Sequence, residues 1–211
     1  MTIIADEGLL PAWKDPVHDA QATFRCLLKA LSEPGVIQQL PVQLTPVAPL
    51  MLATTAACLS LMDFETPVWL APGVDTPALR SYLRFHCGMP LVSERVRAQF
   101  AVLAAEQGVL PPFTLHDFAQ GSLTYPDTSA TLLIQLDDLE HGPQFWMSGP
   151  GIKDRASLRV SGLPEHFFAD WEQNHQAFPA GVDVIFCCED KVLGLPRTTR
   201  LQKGDAPCMS Q

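Results

Sequence analysis

Charge is scarce in this 211-residue chain: 18% of residues are Asp, Glu, Lys or Arg, against 47% hydrophobic ones. That balance excludes an intrinsically disordered chain, which stays unfolded for want of apolar surface to bury. Basic residues are scarcer still, 14 Lys plus Arg against 23 Asp plus Glu, for a net charge of −9. Binding to nucleic acid or to an anionic membrane displaces counterions with a basic surface, so neither is expected as a partner. Long apolar runs are also missing. The charge-free stretch from Pro34 to Met62 is broken by Pro41, Pro46 and Pro49. What remains, Leu50 to Met62, is shorter than the ~20 residues of a membrane span. The opening MTIIADEGLL has no positive segment and two acids, so it is not read as a secretion signal, and a cytoplasmic location is expected.

Catalytic and metal motifs are absent as well. Cys26, Cys58, Cys87, Cys187, Cys188 and Cys208 are scattered with no C-x-x-C pair. A chain this long needs no disulfides, so a reducing compartment is expected and a zinc or iron–sulfur site built from this chain is not. His18, His86, His116, His141, His166 and His175 form no H-E-x-x-H, and no serine lies in G-x-S-x-G. Neither G-x-x-x-x-G-K-[ST] nor G-x-G-x-x-G occurs, which removes both common nucleotide fingerprints. The pair Asp137-Asp138 reads as a solvated turn, since adjacent carboxylates at a strand end diverge.

What is present is a sequence of well-punctuated elements. Asp15-Pro16 caps a helix that runs to Ser32, stopped by Pro34-Gly35, with Val17, Ala20, Phe24, Leu27, Leu28 and Leu31 on the face expected to turn inward. Val36 to Leu40 reads as a strand, Leu50 to Met62 as a helix covered on most sides, and Thr66 to Ala71 as a buried strand. Asp75 and Pro77 open a third helix, with Leu79, Tyr82, Leu83 and Phe85 inward and Gly88 at its end. Gln99 to Leu103 is a further strand, and Thr114 to Ala119 one short helical turn. Ala130 to Leu136 and Gln144 to Ser148 flank a Gly142-Pro143 turn and are expected to pair antiparallel. Pro164 starts a helix bearing Phe167, Phe168 and Trp171, and Val182 to Cys188 and Lys191 to Leu195 form strands joined at Glu189-Asp190. Alternating helices and apolar strands followed by hairpins point to an α/β layered fold with a mixed sheet, one domain over residues 1–211.

Three segments offer groups for an anionic ligand. In SGPGI, residues 148 to 152, Gly149 and Gly151 let backbone amides converge on an anion, although a tight connection after a strand accounts for them equally. In LRFH, Arg84 and His86 stand two apart and cannot share a helix face, and the helix dipole alone favours cations there. In LPRTT, Arg197 and Thr198 offer a guanidinium and a hydroxyl suited to phosphate oxygens, or simply a surface turn. Nothing in the sequence brings Arg84 and Arg197 together.

In order along the chain, DAQATFRCLLKALSEPG (19–35), TPVWL (66–70), LRFH (83–86), SGPGI (148–152), FPAGVDVIF (178–186) and LPRTT (195–199) resemble the PhnH subunit family of bacterial carbon–phosphorus lyase, over about residues 15–201. The resemblance implies a phosphonate-metabolism subunit working with PhnG, PhnI and PhnJ. With an ATP-binding subunit, that assembly replaces the adenine of ATP by an alkylphosphonate. It also implies a three-layer sandwich with a mostly parallel sheet, similar to pyridoxal-phosphate-dependent transferases but without the cofactor. The lysines agree, because Schiff-base chemistry needs a buried one: Lys14, Lys29, Lys191 and Lys203 fall at helix starts, an exposed face, a hairpin turn and the tail, and Lys153, the only placeable one, follows SGPGI beside Asp154 and Arg155, which point to solvent. A docking subunit, homodimeric when alone, is therefore expected, with no cofactor or metal of its own. A second reading stays open: a stand-alone transferase holding an anionic substrate at Arg84, Arg197, Thr198 and the SGPGI amides.

Overall fold

The computed structural model describes residues 10–105 and 108–204. Cys208 and residues 1–9 of the opening segment read above for a secretion signal lie outside them. The elements are α1 (Pro16–Ser32), β1 (Gln38–Gln39), α2 (Leu52–Leu61), β2 (Val68–Leu70), α3 (Pro77–Cys87), β3 (Phe100–Ala104), β4 (Thr131–Gln135), β5 (Gln144–Ser148), β6 (Ala156–Arg159), α4 (Phe167–Gln176), β7 (Asp183–Cys188), β8 (Lys191–Leu195) and β9 (Arg200–Lys203). Six strands form a mixed sheet in the order β1-β8-β7-β4-β3-β2. β2, β3, β4 and β7 run parallel, Leu133 lying opposite both Val102 and Ile185, while β8 and β1 return antiparallel. The parallel strands are nearly continuous apolar runs because helices cover both faces. On β7, Phe186 turns toward α4, where Phe167 lies 6.1 Å away. Its neighbour Ile185 points the other way, as does Gly194 across the ladder, toward α1 and α2.

Local chemistry sets the helix ends. Asp15 accepts from the Val17 and His18 amides at 3.2 and 3.1 Å, and Pro16 needs no partner. At α3 the cap is Thr76 rather than Asp75: the Thr76 hydroxyl accepts from the Leu79 amide, Asp75 pairs with Arg80, and Gly88 closes the helix in a left-handed conformation.

Three expectations fail for tertiary reasons. α1 buries Thr23, Leu27 and Ala30, while Val17, Phe24 and Leu28 face solvent. The backbone of α1 comes so near the sheet that a Cβ on Gly194 would sit 2.4 Å from the Ala30 carbonyl, and that approach admits small side chains only. On α3, Leu79, Tyr82 and Leu83 are buried but Phe85 is 69% exposed. The supposed hairpin of residues 130–136 and 144–148 does not form: β4 enters the large sheet, and β5 pairs with β6 and β9 in a separate three-stranded antiparallel sheet. β6 and β9, short and largely exposed, carry no apolar alternation that would mark them as strands in the sequence.

Candidate functional site

SGPGI, FPAGVDVIF and LPRTT converge at the amino end of the parallel strands. Leu195, the last residue of β8, lies opposite Val184 near the start of β7, so the link from Pro196 to Thr199 runs past the beginnings of β7 and β4. Gly149 nestles against it: a Cβ there would lie 2.9 Å from the Thr198 carbonyl. Gly151 presses on the end of α1, where a Cβ would come within 2.1 Å of the Ser32 carbonyl. Each glycine is thus required by the close approach of another backbone.

Arg197 is spent on the protein itself. Its Nε donates to both Asp183 carboxylate oxygens at 3.1 and 3.2 Å, and Nη2 donates to Oδ2 at 2.5 Å and to the Ser129 hydroxyl. Nη1 donates to the carbonyls of Pro126 and Pro179 at 3.1 and 3.2 Å, and the Arg197 amide to Asp183 Oδ1 at 2.7 Å. With side-chain exposures of 13% and 22%, this pair clamps the segments before β4, β7 and β9 together.

The backbone of Arg197 carries the order outward. Its carbonyl meets His175 Nδ1 at 3.0 Å. A carbonyl only accepts, so Nδ1 holds the hydrogen and the Nε2 lone pair receives the Nε–H of Arg200 at 3.0 Å. Two open clefts flank the exposed ring of Phe178 here. One, about 450 Å³, is lined by Pro150, His175, Gln176, Phe178, Thr198 and Arg200. The other, about 400 Å³, is lined by Pro126, Asp127, Phe178, Pro179, Asp183, Arg197 and Thr198.

Arg84 and His86 lie elsewhere, on α3. Arg84 lines a groove of about 600 Å³ with Trp69, Leu70, Pro72, Asp75, Arg80 and Ser93, at the carboxyl end of edge strand β2. Arg80 in that groove is paired with Asp75, whose carboxyl its hydrogen bonds hold below the usual range. His86 meets the Leu10 carbonyl at 3.1 Å. The structure therefore brings Gly149, Arg197 and Thr198 together, with Gly151 in the same loop, and leaves Arg84 and His86 across the sheet from them. No sequence motif marks His175, Phe178 or Arg200 as ligand groups. Phe178 opens FPAGVDVIF and Arg200 directly follows LPRTT, but no spacing rule links either to His175.

Among the described residues no group of three His, Cys, Asp or Glu side chains is placed to hold a metal ion, and no helix is long and apolar enough to cross a membrane.

The sequence profile of the family described as "Bacterial phosphonate metabolism protein (PhnH)" matches residues 11–202. Over 192 residues, 91% of this chain and 94% of the relative, the chain is 37% identical to the alpha-D-ribose 1-methylphosphonate 5-triphosphate synthase subunit PhnH of Rhizobium meliloti (strain 1021). It is 28% identical over 189 residues to a putative C-P lyase subunit protein HtxG of Stutzerimonas stutzeri, covering 90% of this chain and 88% of that one.

Proposed function

The chain belongs to the PhnH family of bacterial phosphonate metabolism proteins, and from that premise we propose that it is a docking subunit of a carbon–phosphorus lyase assembly. Its partners in this reading are PhnG, PhnI and PhnJ, acting with an ATP-binding subunit to transfer the ribose triphosphate of ATP to an alkylphosphonate in the cytoplasm. The carrying observation is the outer face of α1. Val17, Phe24 and Leu28, spaced seven and four apart along one stripe, are 73%, 49% and 55% exposed. Large apolar side chains in register on an ordered helix are the composition of an interface core. In isolation a second copy covers that stripe, giving a homodimer; in the assembly a core subunit does.

A mostly parallel sheet covered by helices on both faces supports the wider likeness to pyridoxal-phosphate transferases. Lys14, Lys29, Lys153 and Lys203 are exposed and Lys191 is tied to Glu140 at 2.6 Å, so no lysine fits a buried Schiff-base position. That supports a subunit carrying no such cofactor. The stand-alone transferase reading is disfavoured because Arg197, its central cation, has its donors committed to Asp183, Ser129 and two carbonyls.

Co-expression with the other core subunits followed by size-exclusion chromatography tests the proposal. We expect one co-eluting complex, lost when Phe24→Glu and Leu28→Glu are combined while circular dichroism stays native. Separate elution of the wild-type chain, or an intact complex with the double variant, overturns it.

A further inference from the structure

We propose that the cleft beside Phe178 is a binding site for a phosphate-type oxyanion carrying an organic substituent, with Arg200 and Thr198 as its ligands and His175 as a positioning residue. Four observations carry this. Arg200 is surface-exposed, yet one edge of its guanidinium is held by His175, which is held by the Arg197 carbonyl, whose own side chain is anchored to Asp183. Exposed arginines ordinarily keep rotamer entropy that binding must remove, and here much of it is removed in advance.

The remaining donors point to the ligand. Among the described residues, neither Nη of Arg200 nor the Thr198 hydroxyl has a hydrogen-bond partner, and both residues line the same cleft. No carboxylate lines it. Asp127 and Asp183 belong to the cleft on the other side of Phe178, and Asp183 is neutralised by Arg197. In a chain of net charge −9, a cation held in place without a counter-ion marks a local seat for an anion. Two parallel Nη–H donors match two oxygens of a tetrahedral group, and a hydroxyl serves the third. The cleft, at about 450 Å³, exceeds a bare ion, and the Phe178 ring and Pro150 give its remaining wall an apolar surface for the substituent.

His175 acts through Arg200. Its neutral ring supplies the acceptor that fixes the guanidinium plane, and a glutamine can reproduce both bonds, donating to the Arg197 carbonyl and accepting from Arg200. The proposal is read on the full chain alone and does not rest on the subunit role, so co-elution and ligand binding fail independently.

The test is titration of the full-length protein with phenylphosphonate, inorganic phosphate and acetate, followed by calorimetry and by amide shifts. We expect saturable binding in the order phenylphosphonate, phosphate, acetate, with shifts at residues 150, 175–178 and 198–200. Loss of the charge-assisted pair in Arg200→Gln should weaken phenylphosphonate about 10- to 100-fold. Arg159→Gln, an exposed arginine on β6, should leave it unchanged. His175→Leu should weaken it about tenfold, and His175→Gln should restore it to within about threefold. Thermal melts of each variant establish that it folds. Absence of saturation at about 10 mM in the wild type, unchanged affinity in Arg200→Gln, or acetate binding as tightly as phenylphosphonate overturns the site. Unchanged affinity in His175→Leu overturns the positioning role.

Discussion

Replacing Arg197 by alanine separates a structural arginine from a ligand-binding one. The substitution leaves the Asp183 carboxylate, 22% exposed, without its cation, and strips donors from the Ser129 hydroxyl and from the Pro126 and Pro179 carbonyls. Breaking a buried pair costs about 3–5 kcal/mol, because the surviving charge stays desolvated. Partial solvent access at Asp183 places this case at the low end, about 3 kcal/mol. For a domain of this size that lowers Tm by about 6–12 °C. Urea unfolding with a common m-value measures the free energy directly, and scanning calorimetry the Tm. Removing both partners in Arg197→Ala with Asp183→Ala should cost less than the sum of the single changes, since the orphaned charge is gone. An arginine kept for a ligand behaves in the opposite way, its removal being neutral or mildly stabilising in the unliganded protein. A loss below about 1 kcal/mol would therefore refute the clamp.

Acid and thiol chemistry give two further outcomes. Asp15, Asp75, Asp117 and Asp138 are all held below the ordinary carboxylate value of 3.8: Asp15 first by the His18 amide, Asp75 by Arg80, and Asp138 by the Glu140 amide. Burial pushes Asp117 up, but its bonds from Thr114 and Arg95 outweigh that. Folded values below unfolded ones mean stability that is complete above about pH 5 and lost as pH falls through 3.8 and below, which urea midpoints from pH 6 to 3 check; a flat profile contradicts it. Burial pushes the Cys187 and Cys87 thiols up to about 12 and Cys58 well above its usual value. Iodoacetamide at pH 8, read by peptide mapping, should leave Cys58 and Cys187 unlabelled in the native protein and label them in urea. Rapid native labelling of either contradicts their burial.

Much of the architecture follows from short-range chemistry. Asp15-Pro16, Thr76-Pro77 and Gly88 fix helix ends through bonds made within a few residues, so reading them needs no tertiary information. The apolar runs of β3, β4 and β7 announce strands covered on both faces for the same reason. The six ordered motifs carry the family resemblance without reference to packing.

What the sequence alone determined, then, is where elements begin and end and which family the chain joins. The tertiary structure decided which surfaces meet. Nothing local states that Gly194 draws α1 onto the sheet, yet that approach turns Thr23 and Ala30 inward and leaves Val17, Phe24 and Leu28 in water. Nor does LPRTT reveal that Arg197 will be consumed by Asp183 while Arg200, three residues on, stays available in a cleft with Phe178. Propensity and capping act over a few residues, whereas the partner of a charge and the covered face of a helix depend on segments that only the folded sheet brings together.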